Sequence, residues 1–271
     1  MTGDLKKHRL GVDISEHNGD VNFEELKAAG VSFVIIRCGY GSDYPKQDDN
    51  RFFENIRKAE ISKMDYGVYL YSHATTPNMA TSEVAHVMRL LGDHKPKLGV
   101  WYDVEEFPQW DIGTKAITDV IIRFMQGIEA NGLKVGVYSS SYWWGALLSD
   151  KRLNDYPKWV AEWGPTLNRT DAEIWQYTDA LEISGKYYDG NLLLKEVDKV
   201  NYDEFKKFMS QWMSEQAKKP ASDWAKEDID FLKKQGIVVG DASGNVTPQS
   251  LATRQEIFAM LARIFRKLTN T

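Results

Sequence analysis

The sequence contains very little cysteine and no long apolar run. The only cysteine, Cys38, excludes a disulfide within the chain, and its apolar neighbours predict a buried thiol. No stretch of about 18 consecutive apolar residues occurs, so we expect neither a transmembrane helix nor a membrane partner. The first fifteen residues lack the apolar core of a signal peptide. We therefore expect a protein that is made in a cytoplasm without its own export signal.

Histidine and excess positive charge are also scarce. The five histidines show neither H-x-x-E-H nor H-x-x-x-H spacing, so no zinc site is expected and no cofactor is implied. A net charge of −5, without a basic run, argues against a nucleic-acid partner. Hydrophobic residues make up 42% of the chain and charged residues 27%, which predicts a soluble globular protein. A length of 271 residues fits one large and one small domain.

Eight short runs rich in β-branched and aromatic residues predict strands. They cover Arg9–Ile14, Ser32–Arg37, Tyr66–Tyr71, Leu98–Asp103, Leu133–Tyr138, Lys158–Trp163, Glu173–Tyr177 and the region near Lys186–Asp189. Helical patterns separate the early runs, and this alternation predicts a parallel sheet. After the fifth run only about ten residues separate successive strands, too few for a full crossover helix. We therefore predict an α/β fold, an irregular TIM-like (β/α)5β3 barrel.

The last seventy residues have a different pattern. Residues 201–219 predict one amphipathic helix that ends before Pro220. Two more helices follow, one capped by Ser222 and one by a Thr253–Glu256 capping box. Their apolar residues predict a second small core, formed by Trp224, Ile229, Phe231, Leu232, Ile257, Leu261 and Ile264. The expected division is a barrel over 1–205, a linker helix over 206–220 and a small helical domain over 221–271.

Catalytic groups of a parallel barrel come from the carboxyl ends of its strands. Those positions hold Asp13, Arg37, Tyr71 with Ser72 and His73, Asp103 with Glu105, Tyr138 with Ser139, Glu162 with Trp163, Gln176 with Tyr177, and Asp189. Asp103 and Glu105 face the same side of an extended chain, and two neighbouring carboxylates do not both ionise easily. One of them is therefore a candidate general acid. The alternatives are an acidic loop or a metal cage for the D-x-E pair, and simple rim packing for the aromatic side chains.

Seven motifs follow one another at the predicted strands. They are GVDIS (11–15), FVIIRCGYG (33–41), YGVYLYSHA (66–74), VWYDVE (100–105), VGVYSS (135–140), WVAEW (159–163) and IWQYT (174–178). Over roughly residues 8 to 195 this ordered set resembles the family 25 (Chalaropsis-type) lysozymes. The resemblance implies hydrolysis of the β-1,4 bond between N-acetylmuramic acid and N-acetylglucosamine in peptidoglycan, with net retention and without a cofactor.

The resemblance also implies roles for particular residues. Glu105 would be the general acid/base, and Asp103 would orient or stabilise the substrate. Asp13 would be a further cleft carboxylate, and Asp189 would fill the place of the late D-x-N aspartate, for which Asp198 is a second candidate. Retention would proceed either through a carboxylate nucleophile or through the 2-acetamido oxygen of the substrate. The side chains expected to bind the glycan are Arg37, Tyr71, Tyr138, Trp163 and Tyr177.

The tail over 222–261 resembles one S-layer homology module, most clearly in DWA, GIVVGD and ATRQE. This resemblance implies binding to a cell-wall polymer. The alternative is a helical pair that braces the barrel or joins two chains in a homodimer. A phage endolysin fits the whole chain best, with a bacterial autolysin as the alternative. The rivals are a chitinase-like hydrolase, whose longer acidic run is missing at 98–101, and a non-catalytic glycan-binding protein.

Overall fold

The computed structural model describes residues 8–195, 202–241 and 244–269, without the side chains of residues 202–205 and 208. The chain divides into two compact units, Met1–Val197 and Asp198–Thr271. The single cysteine lies in the core of the first unit, where Cys38 is fully buried. Burial raises the pKa of its thiol far above the ordinary value, which confirms the predicted core thiol.

The first unit is a closed barrel of eight strands in sequence order. The strands are β1 (Arg9–Ile14), β2 (Val31–Tyr40), β3 (Asp65–Tyr71), β4 (Val100–Asp103), β5 (Val135–Ser140), β6 (Lys158–Ala161), β7 (Ile174–Ile183) and β8 (Lys186–Leu193). The helices of this unit are α1 (Phe23–Ala28), α2 (Phe52–Ser62), α3 (Pro77–Leu91), α4 (Phe107–Asp111), α5 (Gly113–Glu129) and α6 (Ser141–Ala146). The predicted α/β fold with eight strands is confirmed.

The direction of the last strand differs from the expected parallel sheet. Strands β1 to β7 pair in parallel, whereas β8 runs antiparallel to both β7 and β1. A two-residue turn, Ser184–Gly185, joins β7 to β8, and both residues have positive φ angles of 51° and 78°. Such a turn reverses the chain directly into a hairpin, so no crossover is needed. The antiparallel β8 closes the barrel against β1.

Large side chains fill the interior of the barrel. Every second strand residue faces inward, and the resulting inner core includes Phe33, Ile35, Trp101, Trp159, Ile174 and Leu193. Two glycines make room for the rings: a Cβ on Gly136 would lie 2.4 Å from the Trp101 ring, and one on Gly11 would lie 2.3 Å from the Phe33 ring. The barrel is therefore closed by packed rings, and its inward-facing polar groups lie at the carboxyl end.

A second core lies between the barrel and its helices. Ile56 of α2, Val87 of α3 and Phe124 of α5 are fully buried there. The Phe124 ring stacks on Tyr102 of β4, with 3.8 Å between the ring centroids. Each fully buried side chain of this size stabilises the fold by about 1.5–3 kcal/mol. This packing fixes β4, the strand that carries the D-x-E pair.

The second unit contains helices α7 (Tyr202–Ala217), α8 (Asp223–Lys234) and α9 (Arg254–Thr269). The capping box before α9 is confirmed: the Thr253 N–H donates to Glu256 Oε2 at 2.7 Å, and the Glu256 N–H donates to Thr253 Oγ1 at 3.2 Å. Ser222 occupies the N-cap position of α8, but its side chain makes no capping hydrogen bond. Among the described residues, no helix is long and apolar enough to cross a membrane.

The predicted core of this second unit is wrong. Its side chains divide into exposed ones, Trp224, Phe231, Ile257 and Leu261, and partly exposed ones, Ile229, Leu232 and Ile264. Trp224 alone retains 84% of its accessible surface. The physical reason is size, because a unit of this length cannot enclose a core with two short helices. The apolar faces of α8 and α9 therefore remain open to solvent.

Candidate active site at the carboxyl end of the barrel

A cleft of about 340 Å³ opens at the carboxyl ends of the strands. Its lining consists of Asp13, Ser15, His17, Asn18, Arg37, Tyr69, Tyr71, Asp103, Glu105, Tyr138, Trp159, Gln176 and Asp189. The cleft thus brings together all four carboxylates singled out from the sequence. Arg37, Tyr71 and Tyr138 join them, whereas Trp163 and Tyr177 are not part of this lining.

Strand pairing explains why these side chains meet. Asp13 of β1 lies directly opposite Asp189 of the antiparallel β8. Asp103 is the last residue of β4, where its neighbours in register are Tyr71 on β3 and Tyr138 on β5. Glu105 follows two residues later and lines the same cleft. Five different strands therefore direct the predicted residues to one rim.

Asp13 lies at the buried end of the cleft. Its Oδ2 accepts hydrogen bonds from Gln176 Nε2 at 3.0 Å and from Asn191 Nδ2 at 2.8 Å. Burial and then the charge of Asp189 raise the pKa of Asp13 well above its ordinary value, although the two amide hydrogen bonds oppose this rise. A hydrogen bond also links the carboxyl groups of Asp13 and Asp189. Burial also raises the pKa of Asp189, so both carboxyl groups of the pair hold their protons to a higher pH than a free aspartate does.

Asp103 is buried and surrounded by negative charge. Burial raises its pKa most, followed by the charges of Glu105 and Asp13, while Arg37 lowers it. Its Oδ1 has no hydrogen-bond partner among the described residues. An unpartnered buried carboxyl oxygen is costly, so this position is kept at the expense of stability.

Glu105 is open to solvent from the cleft and accepts no hydrogen bond from any residue that the structure describes. The protein walls around the carboxyl group still displace enough water to raise its pKa, and the charges of Glu106 and Asp189 raise it further. The result is a carboxyl group that is accessible and holds its proton to a higher pH than a free glutamate does.

Arg37 lies in the cleft wall, but other carboxylates already hold it. Its Nε donates to Asp49 Oδ2 at 2.8 Å, and its Nη2 donates to Glu16 Oε1 at 2.9 Å. The buried Asp49 accepts a further hydrogen bond from the Glu16 N–H. These contacts tie the end of β1 to the end of β2. Binding of substrate by Arg37 stays a prediction. The contacts that the structure shows for Arg37 hold the ends of β1 and β2 together.

The predicted aromatic side chains have different surroundings. Tyr138 is buried. Tyr71 is half-buried, and burial, followed by a hydrogen bond to Glu106, raises the pKa of its hydroxyl. Trp163 is 61% exposed. Tyr177 is half-buried, and its ring packs against Gly190, where an added Cβ would lie 3.1 Å from the ring. The two outer residues therefore lie beside the cleft.

Two amides hold this geometry, although the sequence analysis assigned neither of them a catalytic or glycan-binding role. Gln176 Oε1 accepts from the Tyr138 hydroxyl at 3.1 Å and from Trp163 Nε1 at 3.2 Å. Asn191 Oδ1 accepts from Trp159 Nε1 at 2.8 Å. The sequence could have pointed to both residues, because each amide occupies an inward position on a predicted strand or just beyond it. The hydrogen-bond partners of each amide, however, come from distant strands.

The alternative to Asp189, Asp198, lies outside the described residues.

Among the residues that the structure describes, no group of three or more histidine, cysteine, aspartate or glutamate side chains is arranged to hold a metal ion. The cleft lining combines carboxyl groups, amides and aromatic rings with Ser15, His17 and Arg37. Carboxyl groups with raised pKa values can donate and accept protons near neutral pH, and aromatic faces can contact sugar rings.

A closed barrel that gathers carboxyl groups and aromatic rings at its carboxyl end is the arrangement of a barrel glycoside hydrolase. Residues 12–186 match the family described as glycosyl hydrolases family 25, and the chain belongs to this family. Residues 219–258 match the S-layer homology domain. The two matches fall on the two units of the structure.

Several characterised proteins are similar to the barrel region. An autolytic lysozyme of Clostridium acetobutylicum is 27% identical over 177 residues, which cover 65% of this chain and 52% of that protein. Lysozyme M1 of Streptomyces globisporus is 25% identical over 193 residues, which cover 65% of this chain and 63% of that protein. The chain thus spans about half the length of the Clostridium enzyme that it matches.

Solved structures share the fold at lower identity. The modular autolysin LytC of Streptococcus pneumoniae, solved with a synthetic peptidoglycan ligand, superimposes with a TM-score of 0.62 at 24% identity, over 68% of this chain and 46% of LytC. The CTP1L endolysin superimposes with a TM-score of 0.60 at 18% identity, over 97% of this chain and all (100%) of that chain. These similarities establish the common fold.

We expect Asp103→Asn to stabilise the protein at neutral pH. The folded state raises the pKa of Asp103 above its ordinary value of 3.8, so ionising this group costs more in the folded state than in the unfolded chain. The contribution of protonated Asp103 to the free energy of unfolding is therefore fully present below the unfolded-state pKa. It is lost as the pH rises through the folded-state pKa. An amide stays neutral at every pH, so the variant avoids the cost of ionising a buried carboxyl group.

Urea unfolding of the wild type and the variant near pH 4 and near pH 7 measures this effect. The gain should be larger near pH 7. Asp155→Asn removes an exposed carboxylate and serves as the matched control, with no expected gain at either pH. An Asp103→Asn protein less stable than the wild type near pH 7 would contradict the electrostatic interpretation.

Proposed function

We propose that this chain is a muramidase that hydrolyses the β-1,4 bond between N-acetylmuramic acid and N-acetylglucosamine in peptidoglycan, on a (β/α)5β3 barrel. The observation that carries the proposal is the pairing of buried Asp103 with solvent-open Glu105 in a cleft of the family 25 domain. Its relatives support the same activity, because both curated bacterial relatives are lysozymes and LytC was solved with a peptidoglycan ligand.

In this proposal Glu105 is the general acid and then the general base. Its raised pKa keeps a proton available for the leaving glycosidic oxygen. Because no described protein group hydrogen-bonds its carboxyl oxygens, the proton can be given to the substrate without breaking a contact. After the leaving group departs, the carboxylate accepts a proton from the incoming water.

Asp103 is proposed to act through the acetamido group of the substrate. Its unpartnered Oδ1 can accept a hydrogen bond from the acetamido N–H, which aligns the acetamido oxygen with the anomeric carbon. Attack by that oxygen, followed by attack of water from the opposite face, gives net retention. The alternative is direct attack by a carboxylate. Asp13 and Asp189, whose pKa values are both raised, complete the acidic rim and are assigned a supporting catalytic role.

The glycan is proposed to lie along the aromatic walls of the cleft. Tyr71 and Tyr138 line the cavity beside the D-x-E pair, and Arg37 extends from the opposite wall. Trp163 and Tyr177 lie just outside and would contact sugars farther along the strand. Aromatic rings suit this task because their faces bury the apolar faces of sugars while water is excluded.

The second unit is proposed to hold the enzyme on the cell wall. We assign residues 1–205 to the catalytic barrel, 206–220 to a linker helix and 221–271 to the wall-binding module. A groove of about 320 Å³ in this module is lined by apolar side chains together with Glu256 and Arg263, which suits a polar polymer. The match to the S-layer homology domain favours a wall-anchored autolysin over a phage endolysin.

The bond specificity has a direct test. Digestion of purified peptidoglycan should yield fragments with N-acetylmuramic acid at the new reducing end, identified by mass spectrometry. NMR of the first-formed product should show the β-anomer, because two successive inversions retain the configuration. Chitin should be cut far more slowly. New reducing ends on N-acetylglucosamine, or an initial α-anomer, would overturn the proposed reaction.

We expect Glu105→Gln to fold normally, bind glycan and lose about 10²- to 10⁴-fold in turnover, because an amide of nearly the same shape cannot donate the proton. The measurement is the rate of clearing of purified cell walls, with circular dichroism to verify folding. Glu129→Gln, at the exposed carboxyl end of α5, is the matched control and should remain fully active. Normal clearing by folded Glu105→Gln would exclude Glu105 as the acid.

We expect a fragment that ends at Lys218 to fold and to cut soluble glycan fragments at the rate of the full chain. On intact walls it should act more slowly, because tethering raises the local enzyme concentration without changing the cleft. Both proteins are compared on both substrates, and sedimentation reports whether the full chain forms a homodimer that the fragment cannot form. Equal loss on soluble and insoluble substrate would contradict the targeting role.

A further inference from the structure

Two short helices at the rim of the barrel carry exposed aromatic side chains that the proposed reaction does not use. Helix α4 follows the D-x-E end of β4, and α6 follows β5, so both begin at the carboxyl end of the barrel. Phe107 of α4 is 80% exposed, and Tyr142 of α6 is 69% exposed. Neither contributes to the core of the barrel.

These side chains are held in a defined arrangement. The Tyr142 ring stacks on Trp110 of α4, with 5.5 Å between centroids and an interplanar angle of 6°. Trp110 in turn meets Trp143 edge-on, with 5.3 Å between centroids and an angle of 70°. Phe107 and Trp110 are three residues apart on one helix, so they lie on the same side of it. Tyr142 is therefore fixed on one face while much of its ring stays in water.

The exposed rings are close to the proposed catalytic residues. Phe107 follows Glu105 by two residues, which limits the distance between their Cα atoms to about 7 Å. Tyr142 follows the cleft residue Tyr138 by four residues. Core packing accounts for Trp144, which is buried, but it leaves the exposure of Phe107 and Tyr142 unexplained.

We propose that Phe107, Trp110 and Tyr142 form an aromatic platform that binds an uncharged sugar ring of the glycan strand, beyond the sugars at Glu105. This inference rests on the proposed muramidase function. The ionisable residues between positions 105 and 112 are all acidic, namely Glu105, Glu106 and Asp111. Their charge disfavours the carboxylates of peptide stems and leaves the sugar face as the matching ligand.

The stacked pair is suited to this role because its geometry exists before the ligand arrives. A ring that is already ordered loses little conformational freedom on binding, so more of the contact energy appears as affinity. The platform includes neither Glu105 nor any other carboxyl group of the cleft. It should therefore strengthen binding of long strands without changing the chemical step, which is a change in KM at constant kcat.

The test uses the double variant Phe107→Ala/Tyr142→Ala in the full chain, with glycan strands stripped of stem peptides. On long strands we expect KM to rise about tenfold, the loss typical of one buried contact of roughly 1.4 kcal/mol, with kcat unchanged. The shortest oligosaccharide that the wild type cuts, which does not reach the platform, should be cut at the wild-type rate. The single variant Tyr142→Phe, which keeps both the ring at position 142 and the wild-type Phe107, should retain most of the binding that the double variant loses.

Ile61→Ala is the matched control, because Ile61 is 69% exposed in the last turn of α2, at the opposite end of the barrel. Binding of the same strands to Glu105→Gln proteins, followed by tryptophan fluorescence, tests the platform independently of turnover. Unchanged affinity for long strands in the double variant would overturn the platform. Equal losses on long and short strands would show a structural role instead. Failure of the wild type to cut either substrate would count against the muramidase function, not against a platform that still binds.

Discussion

The crowding of carboxyl groups at one end of the barrel is the constraint on which the site depends. Asp13, Asp103 and Asp189 are held close together with little water, so each has a raised pKa and the native state pays in stability for every charge formed there. Glu105 lies at the edge of this group, where it keeps access to solvent but still experiences the field of its neighbours. The arrangement leaves an accessible carboxyl group that holds its proton to a higher pH than a free glutamate does.

The frame around these groups limits their movement. The amide of Gln176 connects Tyr138, Trp163 and Asp13, and the amide of Asn191 connects Trp159 and Asp13. The oxygen and the nitrogen of each amide form hydrogen bonds to groups from different parts of the barrel. A 180° flip of either amide would therefore break these bonds. Below these amides, the packed rings of the inner barrel core leave no room for water. Phe33 and Trp101 fill the space that Gly11 and Gly136 leave open. A rigid frame of this kind keeps repelling carboxyl groups within reach of one substrate.

The two units of the chain follow different physical rules. The barrel unit buries most of its large aromatic side chains, and the exposed ones are Tyr44, Phe53, Phe107, Tyr142, Trp163 and Tyr187. The second unit leaves much of the apolar surface of α8 and α9 in contact with solvent. Exposed apolar surface on a small module is typical of a surface that meets another molecule. Most of this unit matches the S-layer homology domain, over residues 219–258.

The sequence alone determined the features that depend on neighbouring residues. Strand periodicity located all eight strands, the i, i+2 spacing placed Asp103 and Glu105 on one side, and the Thr253–Glu256 pair predicted its capping box. Only the tertiary structure decided which distant groups meet. Asp13 receives hydrogen bonds from residues 163 and 178 positions away, and Arg37 is braced by Glu16 and Asp49. The antiparallel β8 and the open faces of α8 and α9 were likewise not predicted, because pairing direction and burial depend on how the whole chain closes, and no local pattern records that closure.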